Sequence, residues 1–136
     1  MKKLLSTACS DAAFGIAMFV LRVTFGLLLC INHGFAKMTH FGTLRYKFYD
    51  PFHIGSQWTV TMAIFAEVFC AIFVVLGLFT RLAAIPIVIL LAVATFMFHK
   101  GQSLPSHELA VTYLAAFLTI LFAGPGKYSV DGAMGR

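Results

Sequence analysis

The sequence predicts an all-α membrane protein, a bundle of four transmembrane helices. Three observations lead there. Four continuous apolar runs divide the chain, with turn-forming residues between them rather than within them. Hydrophobic residues make up 60% of the chain and charged residues only 11%, against about 25% charged in a soluble domain. No run alternates apolar and polar residues, as the strands of a membrane β-barrel do. With 136 residues, the chain forms one transmembrane domain covering 1–136.

The first helix is predicted near 14–31, where only Arg22 and Thr24 interrupt the apolar run. A spanning helix needs roughly 17–25 residues at 1.5 Å rise each. The leading "MKKLLSTACSDA" lacks the apolar stretch of a secretory signal. Residues 32–57 follow as a surface loop. They interleave Lys37, Arg45 and Lys47 with Phe41, Tyr46, Phe48, Tyr49 and Phe52, which suits the headgroup layer. The second helix, near 58–79, carries Glu67 as its sole charge. "GLFTR" turns it into the third helix, near 82–99, with Thr80 the expected N-cap and Pro86 an expected kink. The fourth helix, near 107–123, is the weakest. Its apolar run spans only 109–123, and Gly124-Pro125-Gly126 ends it.

Four spans place both termini on one side. Lys2 and Lys3 precede the first helix, which puts that side in the cytoplasm. The net charge of +5 then points to anionic lipid headgroups as partners rather than nucleic acid, and no nucleic-acid module is present. Glycine-rich phosphate loops, a Ser-His-Asp set and zinc-type Cys/His spacings are also missing, so no metal is expected and no catalytic residue is assigned. Cys30 closes the first helix and Cys70 lies about 18 Å into the second, too far apart for a disulfide.

The buried charges carry the functional reading. Arg22 and Glu67 each lie nine residues from the loop-bearing end of their helix. That sets both about 13–14 Å deep, near the middle of a roughly 30 Å hydrocarbon core. An isolated charge there costs at least ~2.5–3.5 kcal/mol, so the two are expected to pair. Arg22, Gly26, Leu29, His33 and Lys37 follow one helical stripe. Ala63, Glu67, Cys70, Ala71 and Val74 form another, and Glu108, Thr112, Ala115 and Thr119 a third. The candidate ligand site is therefore Arg22, Glu67, His33 and Lys37, with His99, His107 and Glu108 at its mouth. The bland alternative is a charge pair that only locks helix register.

The stretches "LRVTFGLLLCINHGFAKM", "DPFHIGS", "FAEVFCAIFVVLGLFTRLAAIP", "ELAVTYL" and "GPGKYSVD" resemble the DoxX family of small four-helix membrane proteins. They run in family order from about residue 21 to 131. His53 departs from the pattern, where glycine is more familiar. The resemblance implies a multi-pass protein of the bacterial cytoplasmic (inner) membrane. It also implies a quinone-binding membrane subunit of an oxidoreductase, the family being named for a subunit of a thiosulfate:quinone oxidoreductase. No covalent cofactor is implied; a redox partner subunit is, and homo-oligomers are compatible with it. Two other classes stay open: a small-solute or proton carrier using the same buried charges, and a structural or assembly subunit without chemistry.

Overall fold

The computed structural model describes residues 2–98 and 104–135. Among the described residues every regular element is helical. Helix α1 runs Asp11–Thr39, α2 Phe41–Lys47, α3 Ser56–Leu76, α4 Thr80–Met97, α5 Leu104–Ala123 and α6 Val130–Ala133. Three of them, α1, α3 and α4, are long and apolar enough to cross a membrane, and α5 carries a shorter apolar stretch over Glu108–Ala123.

Residues 32–57 are not a loop. A π-helical turn at Cys30–Gly34 and a further turn at Phe35–Thr39 extend α1 to 29 residues. After a break at His40 the chain is helical again in α2. Apart from His40, only 48–55 lacks helix. Polarity does not end a helix, and no proline occurs before Pro51. The start of α1 is set by Ser10, whose hydroxyl accepts from Ala13 N, with Asp11 in the first turn. Both satisfy the amide-rich, positive end of the helix.

Glycines fix how α1 and α3 meet. A Cβ on Gly26 would lie 2.5 Å from Val75 and 3.4 Å from the Ala71 carbonyl. One on Gly34 would meet Val68 at 2.6 Å and the Glu67 carbonyl at 2.9 Å. The backbones approach too closely for any side chain there. Ala63, Ala66, Ala71 and Val74 complete the seam and are buried, and the face expected on this helix is the one that packs. Cys30 lies midway between the two glycines, level with the turn that holds Cys70. The depth argument that separated the cysteines therefore fails, although both thiols are free.

The expected Arg22–Glu67 pair does not form. Arg22, 1% exposed, donates from Nη1 to the Val74 carbonyl at 2.9 Å and to that of Val75, and from Nη2 to the Tyr128 carbonyl at 2.6 Å. It sits at the last turn of α3, while Glu67 is level with Gly34. Twelve residues of α1 separate those levels, about 18 Å. The error lay in the assumed end of the first helix: α1 runs eight residues past Ile31, which displaces every depth counted from that boundary.

The same end of the bundle holds a second clamp. The chain leaves α3 through Gly77 (φ 71°) and enters α4 through Phe79 (φ 47°). Left-handed backbone at a phenylalanine is strained. It persists because the Asp131 carboxylate accepts from Phe79 N, Thr80 N and Thr80 Oγ1, each at 2.9 Å. Asp131 N in turn donates to the Gly77 carbonyl at 2.8 Å. Thr80 is thus not the cap of α4 but its first residue; the capping group comes from 51 residues away.

Arg22→Ala should therefore unfold the protein readily. It would take the arginine from the Val75 and Tyr128 carbonyls, and leave the Val74 carbonyl with Gly77 N alone, costing on the order of 3–5 kcal/mol. Ile89→Val, at a position 59% exposed, should cost under about 0.5 kcal/mol. Thermal unfolding in detergent compares them, and similar midpoints would refute the clamp.

Candidate functional site

Glu67 lies within a π-helical turn, Phe65–Cys70, and His33 within the π-helical turn of α1. Such turns insert a residue into the helical ladder and re-aim the side chains around it, and they recur at functional sites. The Lys37 side chain leans back along α1, as helical side chains do. Its Nζ reaches Glu67 Oε2 at 2.7 Å. The carboxylate side chain is 7% exposed and the lysine 20%, so the pair bridges the interior and the polar edge. This is the ion pair that Glu67 makes instead of the expected one with Arg22.

Tyr113 of α5 closes the cluster. It is 4% exposed. Its ring stands edge-on to His33, centroids 5.4 Å apart, and to Phe25 at 5.7 Å. A cavity of about 540 Å³ opens beside these groups. Leu29, Leu90, Leu91, Val93 and Ala94 form its apolar wall. His33, Lys37, Glu67 and Tyr113 form its polar wall, and Lys47, Phe48 and Tyr49 roof it. A shallower groove of about 360 Å³ runs outside, past Asn32, His40 and Thr43. His33 and Lys37 line both spaces, so they are the partition between groove and cavity.

Of the residues the sequence nominated, His33, Lys37 and Glu67 come together here and Arg22 does not. Glu108 is exposed and does not line the cavity. His99 and the side chain of His107 lie outside the described residues. The stripe expected on the fourth helix is also displaced. Thr112 and Thr119 are exposed, and their hydroxyls donate to Glu108 and Ala115 carbonyls one turn back, both at 2.8 Å. The buried residues are instead Tyr113, Leu114, Ala116, Phe117 and Ile120. A threonine that satisfies its own hydroxyl within the helix needs no polar interior. Tyr113 and Lys47 were missed; the signal was present for Tyr113, whose phenol on an apolar helix calls for a partner when buried. Among the described residues no three His, Cys, Asp or Glu side chains gather as a metal site would need.

Asp50 holds the roof in place. Its oxygens accept from Gly55 N at 2.7 Å, Ile54 N at 3.2 Å and Thr59 Oγ1 at 3.0 Å. Desolvation pushes the carboxyl up, but those hydrogen bonds and the nearby His53 charge overcome it and hold the group below the ordinary aspartate value.

The family model described as DoxX matches residues 17–100 of this chain, well over half its length. No curated protein matches it and no solved structure does.

A carboxyl whose folded pKa is depressed stabilises the fold above its unfolded value of about 3.9 and loses that contribution as pH falls through the folded value. Amide exchange at Gly55 should therefore accelerate, beyond the intrinsic pH trend, below about pH 4, and Asp50→Asn should show that acceleration already at pH 7. Equal Gly55 protection in wild type and Asp50→Asn at pH 7 would contradict the assignment.

Proposed function

The chain belongs to the DoxX family, and from that premise we propose that it is a four-span subunit of the bacterial inner membrane that binds a quinone headgroup in the cavity beside Lys37 and Glu67. The fourth span is α5, whose 20 residues extend about 30 Å. Both termini then lie on the cytoplasmic side, and the cavity opens to the other. The observation that carries the reading is the half-buried Lys37–Glu67 ion pair set in the wall of a largely apolar space of about 540 Å³. Ligand sites generally take this form: roughly 300–1,000 Å³, apolar walls, and a few convergent polar groups.

A quinone presents two carbonyl acceptors on a flat apolar ring. The Lys37 ammonium, the Tyr113 hydroxyl and the His33 ring are donors on the cavity's polar wall, and the Lys47 ammonium is another at its mouth. Glu67 and His33 are the groups able to give or take the protons that accompany quinone reduction. The electrons would come from a redox partner subunit. The far end of the bundle favours this over a carrier: Arg22 and Asp131 clamp it shut, and α4 offers no charged residue between Leu82 and Met97.

Purified protein titrated with a short-chain ubiquinone or menaquinone analogue should gain thermal stability. Saturation at 100 times the dissociation constant adds about 2.7 kcal/mol. Glu67→Gln and Lys37→Met, which leave the Arg22 clamp intact, should fold and lose most of the gain. The quinone reading gives way to a structural subunit if wild type shows no shift, or if both variants respond as wild type does.

A further inference from the structure

The charges around the cavity do not balance. Lys37 is neutralised by Glu67 at contact distance, and this is the only ion pair among the described residues that the geometry supports. Lys47 also lines the cavity, from the end of α2, and is exposed at its mouth with no carboxylate partner among the described residues. Arg45, two residues earlier, is turned away: its Nη2 donates to Tyr46 Oη at 2.6 Å, and its guanidinium lies 4.6 Å from that ring. Asp50 is committed to backbone amides and to Thr59. One ammonium therefore stands uncompensated at the rim of an apolar chamber.

We propose that the cavity also binds a long-chain carboxylate, its headgroup paired with Lys47 and its hydrocarbon chain on the Leu29, Leu90 and Leu91 wall, in competition with quinone. The inference rests on this cavity being a ligand site, but not on quinone being its natural ligand. One uncompensated positive charge matches a monoanion rather than a phosphate dianion. A neutral amphiphile of the same shape fills the apolar wall and leaves Lys47 unpaired. The chemistry fits a free fatty acid, which is present in the bilayer and reaches the site from the side of the headgroups. Its binding would place an inhibitor of lipid origin on the quinone site.

The test uses the full chain in nanodiscs of phosphatidylcholine, with cis-parinaric acid as the fluorescent probe and its methyl ester as the neutral control. Wild type should bind the acid roughly two- to fivefold more tightly than the ester, the range expected of one solvent-exposed charge pair. Lys47→Gln should erase the difference by weakening the acid alone, and Lys47→Arg should restore it. The quinone analogue should displace the acid from wild type. Equal binding of acid and ester to wild type overturns the proposal. So does an acid preference that survives Lys47→Gln, or tighter binding of lysophosphatidic acid than of the carboxylate. Acid binding through Lys47 with no quinone binding at all would sink the quinone reading and the competition with it, and leave the carboxylate site standing.

Discussion

The bundle depends on the way its helix ends are tied together inside an apolar interior. The last carbonyls of α3 and the first amides of α4 meet at one tight turn. Neither set can be completed within its own helix, and neither can be left open in hydrocarbon. Arg22 brings positive charge to the carbonyl end, and Asp131 brings negative charge to the amide end. Each also opposes the helix dipole in the favourable sense. The C-terminal segment takes part twice, through the Tyr128 carbonyl and the Asp131 side chain. Two stretches more than 50 residues apart in sequence thus become one structural unit, and the strained backbone at Phe79 is held by the same carboxylate.

That tie leaves Glu67 to a different task. With Arg22 fixed at the turn, the glycine seam determines what else lies opposite α3. Gly34 brings α1 onto the backbone of Glu67 itself. The next turn of α1 then carries Lys37 to the carboxylate. Charge is therefore divided by level: a fully buried arginine that supports the fold, and a lysine–glutamate pair that is open on one side to a cavity. A buried cation with three carbonyl partners has little freedom to exchange them. The Lys37–Glu67 pair is better placed to exchange partners, because Lys37 is partly exposed and a ligand could take the place of either group.

The cavity owes its shape to interruptions in regular helix. π-helical turns occur in α1, α3 and α4, at 30–34, 65–70 and 94–98. The first two carry His33 and Glu67, and the third begins at Ala94, which lines the cavity. Straight helices with small residues at the seam would pack flush and leave little room. The cavity lies at the level of these turns, while the clamp ties the other end of the bundle. The short basic helix α2 and the loop held by Asp50 cover the open end, which gives the chamber an apolar floor and a positively charged rim.

Composition and the length of the apolar runs were enough to determine that the chain is helical and built for a membrane, because lipid leaves the backbone few ways to satisfy itself. The small-residue face of α3 was also legible, since Ala63, Ala71 and Val74 can bury only against another helix. His33, Lys37 and Glu67 could be nominated because charge within an apolar run is costly wherever it lies. What these charges touch was not legible. A helix boundary misplaced by eight residues shifts depth by about 12 Å, and no local signal marks where α1 stops, since Asn32, His33 and Lys37 are as tolerable in a helix as at its end. The glycine seam decides that register, and it exists only once both helices are in place. Threonine polarity misled for a related reason: the hydroxyls of Thr112 and Thr119 are satisfied within α5 itself. Tertiary packing alone assigned Arg22 to the α3 carbonyls, Asp131 to the amides of α4 and Lys37 to Glu67, because each partner is a group whose need is created by the fold.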